Sequence, residues 1–169
     1  LRRDGAAATA DAAIVARLRA SGAVVLGTQH MAEFAMSPTG WNAACGPGRN
    51  PWDTSRASGG SSSGAAMSVA AGHVPLAIGS DTGGSVRLPA ALCGLTGLKP
   101  SQHRISMAGA MPLSPSLDCI GPLAHTAELC GHAYRAMAGP DAADLACLDA
   151  GVSVEAMPRR ARVAVPQWR

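Results

Sequence analysis

The spacing of apolar residues near the start of the chain predicts a helix followed by a strand. Ile14, Val15 and Leu18 fall on one face of a helix. Thr9 is a suitable N-cap residue for this helix. The next apolar residues, 23–26, form a short continuous run between two glycines, which is typical of a buried strand. A helix that leads directly into a buried strand is half of an α/β unit.

Further along the chain, predicted helices and predicted strands follow one another in the same way. Small and apolar residues predict a second helix over 65–71 and a second buried strand over 74–78. Glycine, proline, asparagine and serine dominate residues 37–63, which predicts mostly loop. A further helix is expected around Glu128 to Met137, and another strand is expected to begin at 163–165. These elements predict an α/β fold in one domain, because the chain has no internal repeat and no linker.

Charge and aromatic content exclude a dedicated nucleic-acid-binding protein. The 169 residues carry a formal net charge of +3, and only 3% of them are aromatic. Such proteins usually combine a basic stripe with stacking aromatic side chains, whereas the basic residues here are scattered except for arginines at 159, 160 and 162. The longest stretch of low polarity, 64–79, contains Ser68, His73 and Pro75, so we expect no membrane span.

The cysteines are isolated from one another along the chain. None of the five, at 45, 93, 119, 130 and 147, belongs to a Cys-x-x-Cys pair. Metal sites and redox motifs use closely spaced cysteines, so neither is expected. Isolated cysteines among small apolar residues are typical of buried, reduced thiols, which predicts a cytoplasmic protein.

The first of two segments rich in serine and glycine runs from Gly59 to Gly64 and enters the helix predicted at 65–71. A flexible linker is the plain interpretation, but linkers do not usually lie between buried elements. The segment lacks the lysine of a phosphate-binding loop and the spacing of a dinucleotide-binding fingerprint. Glycine and serine together therefore indicate a backbone held in a tight path.

The second segment, Gly79 to Pro89, follows the strand predicted at 74–78. Its Asp81-Thr82-Gly83 sequence resembles half of an aspartic protease site, which would need a second copy from a dimer. Consecutive small residues instead allow several backbone N–H groups to converge as an oxyanion hole, with Ser85 as a candidate nucleophile. A serine in a tight turn is the alternative. No histidine has a distinctive spacing from Ser85, so a Ser-His-Asp triad stays open.

Together these segments resemble the amidase signature family of serine hydrolases. The matching sequences are GGSSSGAA at 59–66 and GSDTGGSVRLPAALCGLTGLKPS at 79–101, which make a signature core over 59–101. Flanking matches extend the resemblance to about positions 9–149, in the segments DAAIVARLRASGAVVLG, MAEFAMSPTGWN, GPGRNPWD and SLDCIGPLAHT. The resemblance implies a mixed β-sheet core flanked by helices, of which residues 1–169 would form a single partial domain.

The family's motif implies a Ser–Ser–Lys triad. By motif position, Ser85 would be the nucleophile and Ser61 the bridging serine, held by a cis peptide bond after Gly60. Asp81 and Arg87 would brace the loop with a charge-assisted pair. No metal and no organic cofactor is implied. The oxyanion hole would be formed by the backbone N–H groups of Thr82, Gly83, Gly84 and Ser85.

The third member of that triad, the lysine of a Lys-Asp motif, has no counterpart in the sequence. The only lysine, Lys99, lies in the family's structural Gly-Leu-Lys-Pro turn. Thr28 stands where relatives usually carry a lysine, but that lysine is not the catalytic one. We therefore expect the base to lie upstream of Leu1, and the 169 residues alone to be inactive or nearly so.

The activity implied by the resemblance is hydrolysis of a carboxamide through a serine acyl-enzyme, with release of a carboxylate and ammonia or an amine. The substrate would be a small amide, and a homodimer or partner subunits are both compatible with the family. One alternative is the A subunit of an aminoacyl-tRNA amidotransferase, which frees ammonia from glutamine for a partner. The other is a non-catalytic fragment or pseudoenzyme. The signature does not name the amide.

Overall fold

An antiparallel three-stranded sheet lies at the centre of the fold, in the order β5–β7–β6. The computed structural model describes residues 8–147. In chain order the elements are α1 (Ala13–Ala20), β1 (Trp41–Asn42), β2 (Gly46–Pro47), β3 (Arg49–Asn50), β4 (Asp53–Ala57), α2 (Ser63–Ala70), β5 (Leu76–Asp81), α3 (Arg87–Leu92), β6 (Thr96–Gly97), β7 (Cys119–Ala124) and α4 (Ala127–Met137). The predicted α/β class, a sheet flanked by helices, is confirmed, and in place of the mixed pairing that the resemblance implied, all described strand pairs are antiparallel.

Both faces of the sheet are covered by helices. Along β5, Ala77 points to one face, and Leu76 and Ile78 point to the other, because successive side chains of a strand alternate. Helices α2 and α3 cover the first face, in a core of Ala65, Ala66, Val69, Ala77, Val86, Ala90, Cys93 and Leu123. Helices α1 and α4 cover the second, in a core of Leu18, Ile105, Ile120, Ala133 and Met137. Many of these side chains are small, so the helices lie close to the sheet.

The predicted helix near the start of the chain is confirmed, but its cap differs. The N-cap residue is Ala12, and no side chain bonds to the free N–H groups, so the assignment of Thr9 as the cap was wrong. The Ala13 N–H donates to the Ala108 carbonyl at 3.0 Å instead. A tertiary backbone contact therefore satisfies a donor that a capping side chain would otherwise take.

The apolar run at 23–26 belongs to no strand, and this prediction was wrong. Val24 and Leu26 are 81% and 73% exposed. A strand needs the N–H and C=O groups of a neighbouring strand, and no described strand pairs with this run.

Strands β6 and β7 were not predicted. Gly121 and Pro122 give β7 the pattern of a turn, yet every residue of this strand is buried. The Pro122 carbonyl accepts a hydrogen bond from the Leu98 N–H at 3.0 Å. Strand β6 pairs with β7 only at Ala124 and Leu123, so Pro122 lies just beyond this short ladder, where its missing N–H is tolerated.

Three other predicted elements are confirmed with shifted boundaries. The helix and strand expected at 65–71 and 74–78 are α2 and β5, and the helix near Glu128 is α4. Residues 37–63 are mostly loop, as predicted, with two short antiparallel pairs, β1–β2 and β3–β4. The strand expected at 163–165 lies outside the described residues. Within residues 8–147, no helix is long and apolar enough to cross a membrane.

Candidate active site

The turn that leads into α2 is tightly enclosed by backbone. The Gly60–Ser61 peptide bond is cis. A Cβ atom at Gly60 would lie 2.6 Å from the Gly40 nitrogen and 2.6 Å from the Ser37 carbonyl oxygen, so only glycine fits. On the other side, the Ala32 N–H donates to the Ser61 carbonyl at 3.0 Å. The backbone at Ser61 is therefore held from both sides.

The hydroxyl of Ser61 differs from those of the two serines that follow it. Ser61 is fully buried, and its Oγ makes no hydrogen bond with any described residue. Ser63 Oγ, also buried, lies 2.7 Å from His30 Nδ1. Buried hydroxyls ordinarily have a partner, so Ser61 Oγ is an exception that calls for a reason.

Ser62 joins the two serine-glycine segments. Its N–H donates to the Ser85 carbonyl at 3.2 Å. Its Oγ donates to the Ser80 carbonyl at 3.2 Å and accepts from the Ser80 N–H at 3.1 Å. A Cβ atom at Gly79 would lie 2.5 Å from this Oγ. Because Gly79 has no Cβ, there is space for the Ser62 hydroxyl beside it.

Ser85 lies in the loop between β5 and α3 and is half-buried. The N–H groups of Gly83 and Ser85 make no hydrogen bond with the described residues, whereas the Gly84 N–H donates to Asp81 Oδ1 at 2.8 Å. Ser85 Oγ likewise makes no hydrogen bond with a described residue, and none joins it to Ser61 Oγ. Free N–H groups beside a serine hydroxyl are what an oxyanion hole requires.

Asp81 braces this loop, as the sequence predicted. Its carboxylate is fully buried and accepts from the Gly84 and Val86 N–H groups and, at 3.0 and 3.1 Å, from the Arg87 guanidinium. Burial raises the pKa of Asp81, but the bonds from Arg87 and from the Val86 N–H outweigh it, so the pKa lies below the ordinary 3.8. Because all of these donors bind it, this carboxylate is not free to share a proton as in an aspartic protease.

Asp118 is a second buried carboxylate at the same loop, and sequence reasoning assigned it no role. Its Oδ1 accepts from the Thr82 hydroxyl, and its Oδ2 accepts from the Leu113 and Ser114 N–H groups at 2.9 Å each. The residue lay within the matched segment SLDCIGPLAHT, but only the pairing of β5 with β7 brings it beside Thr82.

No histidine hydrogen bonds to Ser85 among the described residues. His30 binds Ser63 and the Gly46 carbonyl, and His125 Nε2 lies 2.9 Å from the Val69 carbonyl. The Ser-His-Asp alternative therefore has no geometric support. The amine of Lys99 donates to the Pro100 carbonyl at 2.9 Å and to Cys119 Sγ at 3.7 Å, and it makes no bond to Ser61 Oγ, which has no partner among the described residues.

The cysteines are free thiols, and four of them are buried. Cys45 is exposed, so the expectation of buried thiols was wrong at that position, which lies in the loop between β1 and β2. Burial raises the pKa of Cys93, Cys130 and Cys147. Among residues 8–147, no cluster of histidine, cysteine and acidic side chains could hold a metal ion.

Sequence relatives include subunits of two enzymes. The chain is 52% identical over 139 residues to the A subunit of the glutamyl-tRNA(Gln) amidotransferase of Roseiflexus castenholzii, a match that covers 82% of this chain and 28% of that protein. It is 53% identical over 140 residues to the AtzE subunit of the 1-carboxybiuret hydrolase of Pseudomonas sp. strain ADP, a match that covers 83% of this chain and 31% of that protein. The chain therefore spans less than a third of the length of these relatives.

Solved structures of amidases have the same fold. The peptide amidase of Stenotrophomonas maltophilia matches with a TM-score of 0.78 and 42% identity, over 89% of this chain and 31% of that one. The A subunit of the glutamyl-tRNA(Gln) amidotransferase of Thermotoga maritima matches with a TM-score of 0.84 and 39% identity, over 87% and 32%. The Amidase family model matches residues 3–168. With this fold and a family match over nearly its whole length, the chain belongs to the amidase family.

Proposed function

We propose that the protein hydrolyses a carboxamide C–N bond through an acyl-enzyme on Ser85. The observation that carries the proposal is the buried Ser61 hydroxyl, which has no hydrogen-bond partner among the described residues. It adjoins Ser62, whose N–H is bonded to the Ser85 carbonyl. A buried hydroxyl without a partner, one residue away from a backbone bond to the candidate nucleophile, suits a proton relay. The named activities of the relatives, a hydrolase and a peptide amidase, support the reaction class.

In the proposed reaction, Ser85 Oγ attacks the amide carbonyl carbon while its proton passes to Ser61 Oγ, and the Ser61 proton passes to a base. The C–N bond then breaks, and the leaving nitrogen takes the proton back from the base through Ser61. Water hydrolyses the acyl ester and releases the carboxylate. The relay needs the two hydroxyls closer than they are without substrate, and such contacts often tighten only in the substrate complex.

The oxyanion of the tetrahedral intermediate would be bound by the N–H groups of Thr82, Gly83 and Ser85. Gly84 belonged to the expected set, but its N–H is already donated to Asp81 at 2.8 Å. We therefore assign Gly84 a role in shaping the loop, where its φ of 131° suits glycine.

The base in the proposal is a neutral lysine amine. Lys99 does not suit this role, because its amine bonds to the Pro100 carbonyl and to Cys119 Sγ and not to Ser61 Oγ. We propose that a lysine upstream of Leu1 approaches Ser61 Oγ and completes the triad.

Reaction of a fluorophosphonate probe with the purified full-length protein, which would carry the proposed upstream lysine, tests this assignment, with intact mass as the readout. We expect Ser85→Ala to abolish labelling and Ser61→Ala to slow it severely. Ser55→Ala, which removes an exposed hydroxyl bonded to Asp53, is the matched control and should label at the wild-type rate. Full labelling or full amide turnover in Ser85→Ala would contradict the proposal. An unlabelled, folded wild-type protein would favour the non-catalytic scaffold.

The second candidate function is glutamine hydrolysis within an amidotransferase. Its support is the identity of 52% to the A subunit of such an enzyme. Glutaminase activity that appears only with partner subunits would favour this function. Turnover of simple amides by the purified protein alone would favour a free-standing hydrolase.

We also propose that the protein assembles with partner subunits, because two of its relatives are named as subunits of larger enzymes. A cytoplasmic location is also proposed, and its support is that all five cysteines are free thiols.

A further inference from the structure

We propose that Asp118 is a positioning residue for the oxyanion loop and that it acts through the side chain of Thr82. The inference rests on the hydrolase function proposed above. Asp118 would touch neither substrate nor nucleophile, and its effect would be to orient the N–H group of Gly83.

The sheet places Asp118 at this loop. Asp81 and Cys119 are paired partners at the end of the β5–β7 ladder. The residues just outside that pair, Thr82 and Asp118, are therefore neighbours, and the Thr82 hydroxyl donates to Asp118 Oδ1.

Asp118 is a rigid anchor. It is 7% exposed, and its Oδ2 accepts from the Leu113 and Ser114 N–H groups at 2.9 Å each. Its own N–H donates to the Ser114 carbonyl at 2.8 Å. A buried carboxylate with three donors has little freedom to move, so it can hold Thr82 in one rotamer.

Gly83 needs such support from its neighbours. An added Cβ atom at Gly83 would meet nothing within 4 Å, so no packing restrains this residue. Its peptide groups are held only through the residues on either side. Asp81 holds Gly84 and Val86 on one side, and Asp118 holds Thr82 on the other. The two carboxylates together set the direction of the free Gly83 N–H.

A purely structural role is the competing explanation, in which Asp118 only stabilises the loop at 113–118. The Thr82→Val variant separates the two, because it breaks the bond to Asp118 and leaves the bonds from Leu113 and Ser114 intact. Asp118→Asn is a second test, since it keeps the size of the side chain but replaces one acceptor oxygen with a donor.

The decisive readout is the affinity for a trifluoromethyl ketone analogue of a substrate amide, which forms a tetrahedral oxyanion, measured with kcat and KM. For Thr82→Val we expect a loss of about tenfold in kcat and in ketone affinity, with KM unchanged. The expected loss is smaller than the roughly 10²–10³-fold loss in kcat on removal of an oxyanion-hole donor, because the Gly83 N–H is still present and is only less well oriented. Thr82→Ser keeps the hydroxyl, so its kcat and its affinity for the ketone should stay within about threefold of the wild-type values.

The matched control is Asp144→Asn. Asp144 also accepts a backbone N–H from a distant loop, that of Met107 at 2.8 Å, but it contacts no residue of the site. The Asp144→Asn variant should alter the stability of the protein without altering kcat or the affinity for the ketone. The inference is overturned if Thr82→Val and Asp118→Asn lower the melting temperature but leave both values at the wild-type level. A wild-type protein that neither labels nor hydrolyses amides would instead refute the hydrolase function itself, and this inference with it.

Discussion

The N–H of Ser62 donates to the carbonyl oxygen of Ser85 at 3.2 Å, and this bond holds the two serine-glycine segments together. Ser62 is bonded to the second segment at two places, because its hydroxyl also pairs with the Ser80 backbone. The position of the candidate nucleophile relative to Ser61 is therefore set by the serine between them.

Replacing Ser62 with alanine tests this arrangement. The variant leaves the partly buried Ser80 N–H without an acceptor, so we expect a loss of about 1 kcal/mol in the free energy of unfolding. Labelling of Ser85 by a fluorophosphonate should slow as well. Ser21→Ala removes a hydroxyl that bonds the Leu18 carbonyl at the end of α1 and is the control. Wild-type labelling in Ser62→Ala would show that the Ser62 hydroxyl does not help to position the nucleophile, since the backbone bond from Ser62 to Ser85 remains in this variant.

Gly79→Ala should disrupt the same contact from the other side. The new Cβ atom would lie 2.5 Å from Ser62 Oγ and 2.7 Å from Ser62 Cβ, so one segment must move. We expect a loss of about 1–3 kcal/mol, as for other overpacked cores, measured by chemical denaturation. Gly131→Ala provides the contrast in the interior of α4, where the nearest atom to a new Cβ lies 3.7 Å away. There alanine should stabilise the protein by about 0.5–1 kcal/mol. Equal effects at the two positions would contradict the steric explanation.

Ser61→Ala should separate stability from activity. Because Ser61 Oγ is buried without a described partner, its removal should leave the melting temperature unchanged or raise it, while acylation falls. Ser63→Ala should lower the melting temperature and leave acylation unchanged, since Ser63 Oγ is paired with His30 Nδ1 at 2.7 Å. Thermal unfolding and probe labelling of both variants check this pair of outcomes. Destabilisation by Ser61→Ala as large as that by Ser63→Ala would mean that the Ser61 hydroxyl has a partner in the folded protein.

The depressed pKa of Asp81 predicts a loss of stability in acid. The pKa of the folded state lies below the ordinary value of 3.8, so the ionised carboxylate stabilises the fold above about pH 3.8. This contribution declines as the pH falls below that value and is gone once the pH passes the folded-state pKa. Melting temperatures of the wild type and Asp81→Asn, compared between about pH 7 and pH 3, should differ most at neutral pH and converge in acid. A gap that is constant over this range would show that ionisation of Asp81 does not stabilise the fold.

Much of the local structure could be predicted from the sequence. The helices around Leu18, at 65–71 and around Glu128, and the strand at 74–78, follow from apolar spacing and are present within a few residues. The bracing of the loop by Asp81 and Arg87 could also be predicted, because the two residues lie close together in one motif.

The apolar pattern failed where pairing decides the outcome. Residues 23–26 have the pattern of a strand but pair with no described strand, whereas β7 lacks the pattern and is the central strand. Strand formation depends on hydrogen bonds to another part of the chain, which the local pattern does not contain.

The sequence by itself determined the family and the two serine-glycine segments, since such motifs depend on small residues at fixed short spacing. Only the tertiary structure decided that Ser62 joins these segments, that Ser61 Oγ has no described partner, and that Asp118 holds Thr82. Each of these relationships depends on how β5, β7 and α2 pack, which brings together residues that are distant in the chain. Packing of this kind is the collective result of burying both faces of the sheet, so no single segment of the sequence specifies it.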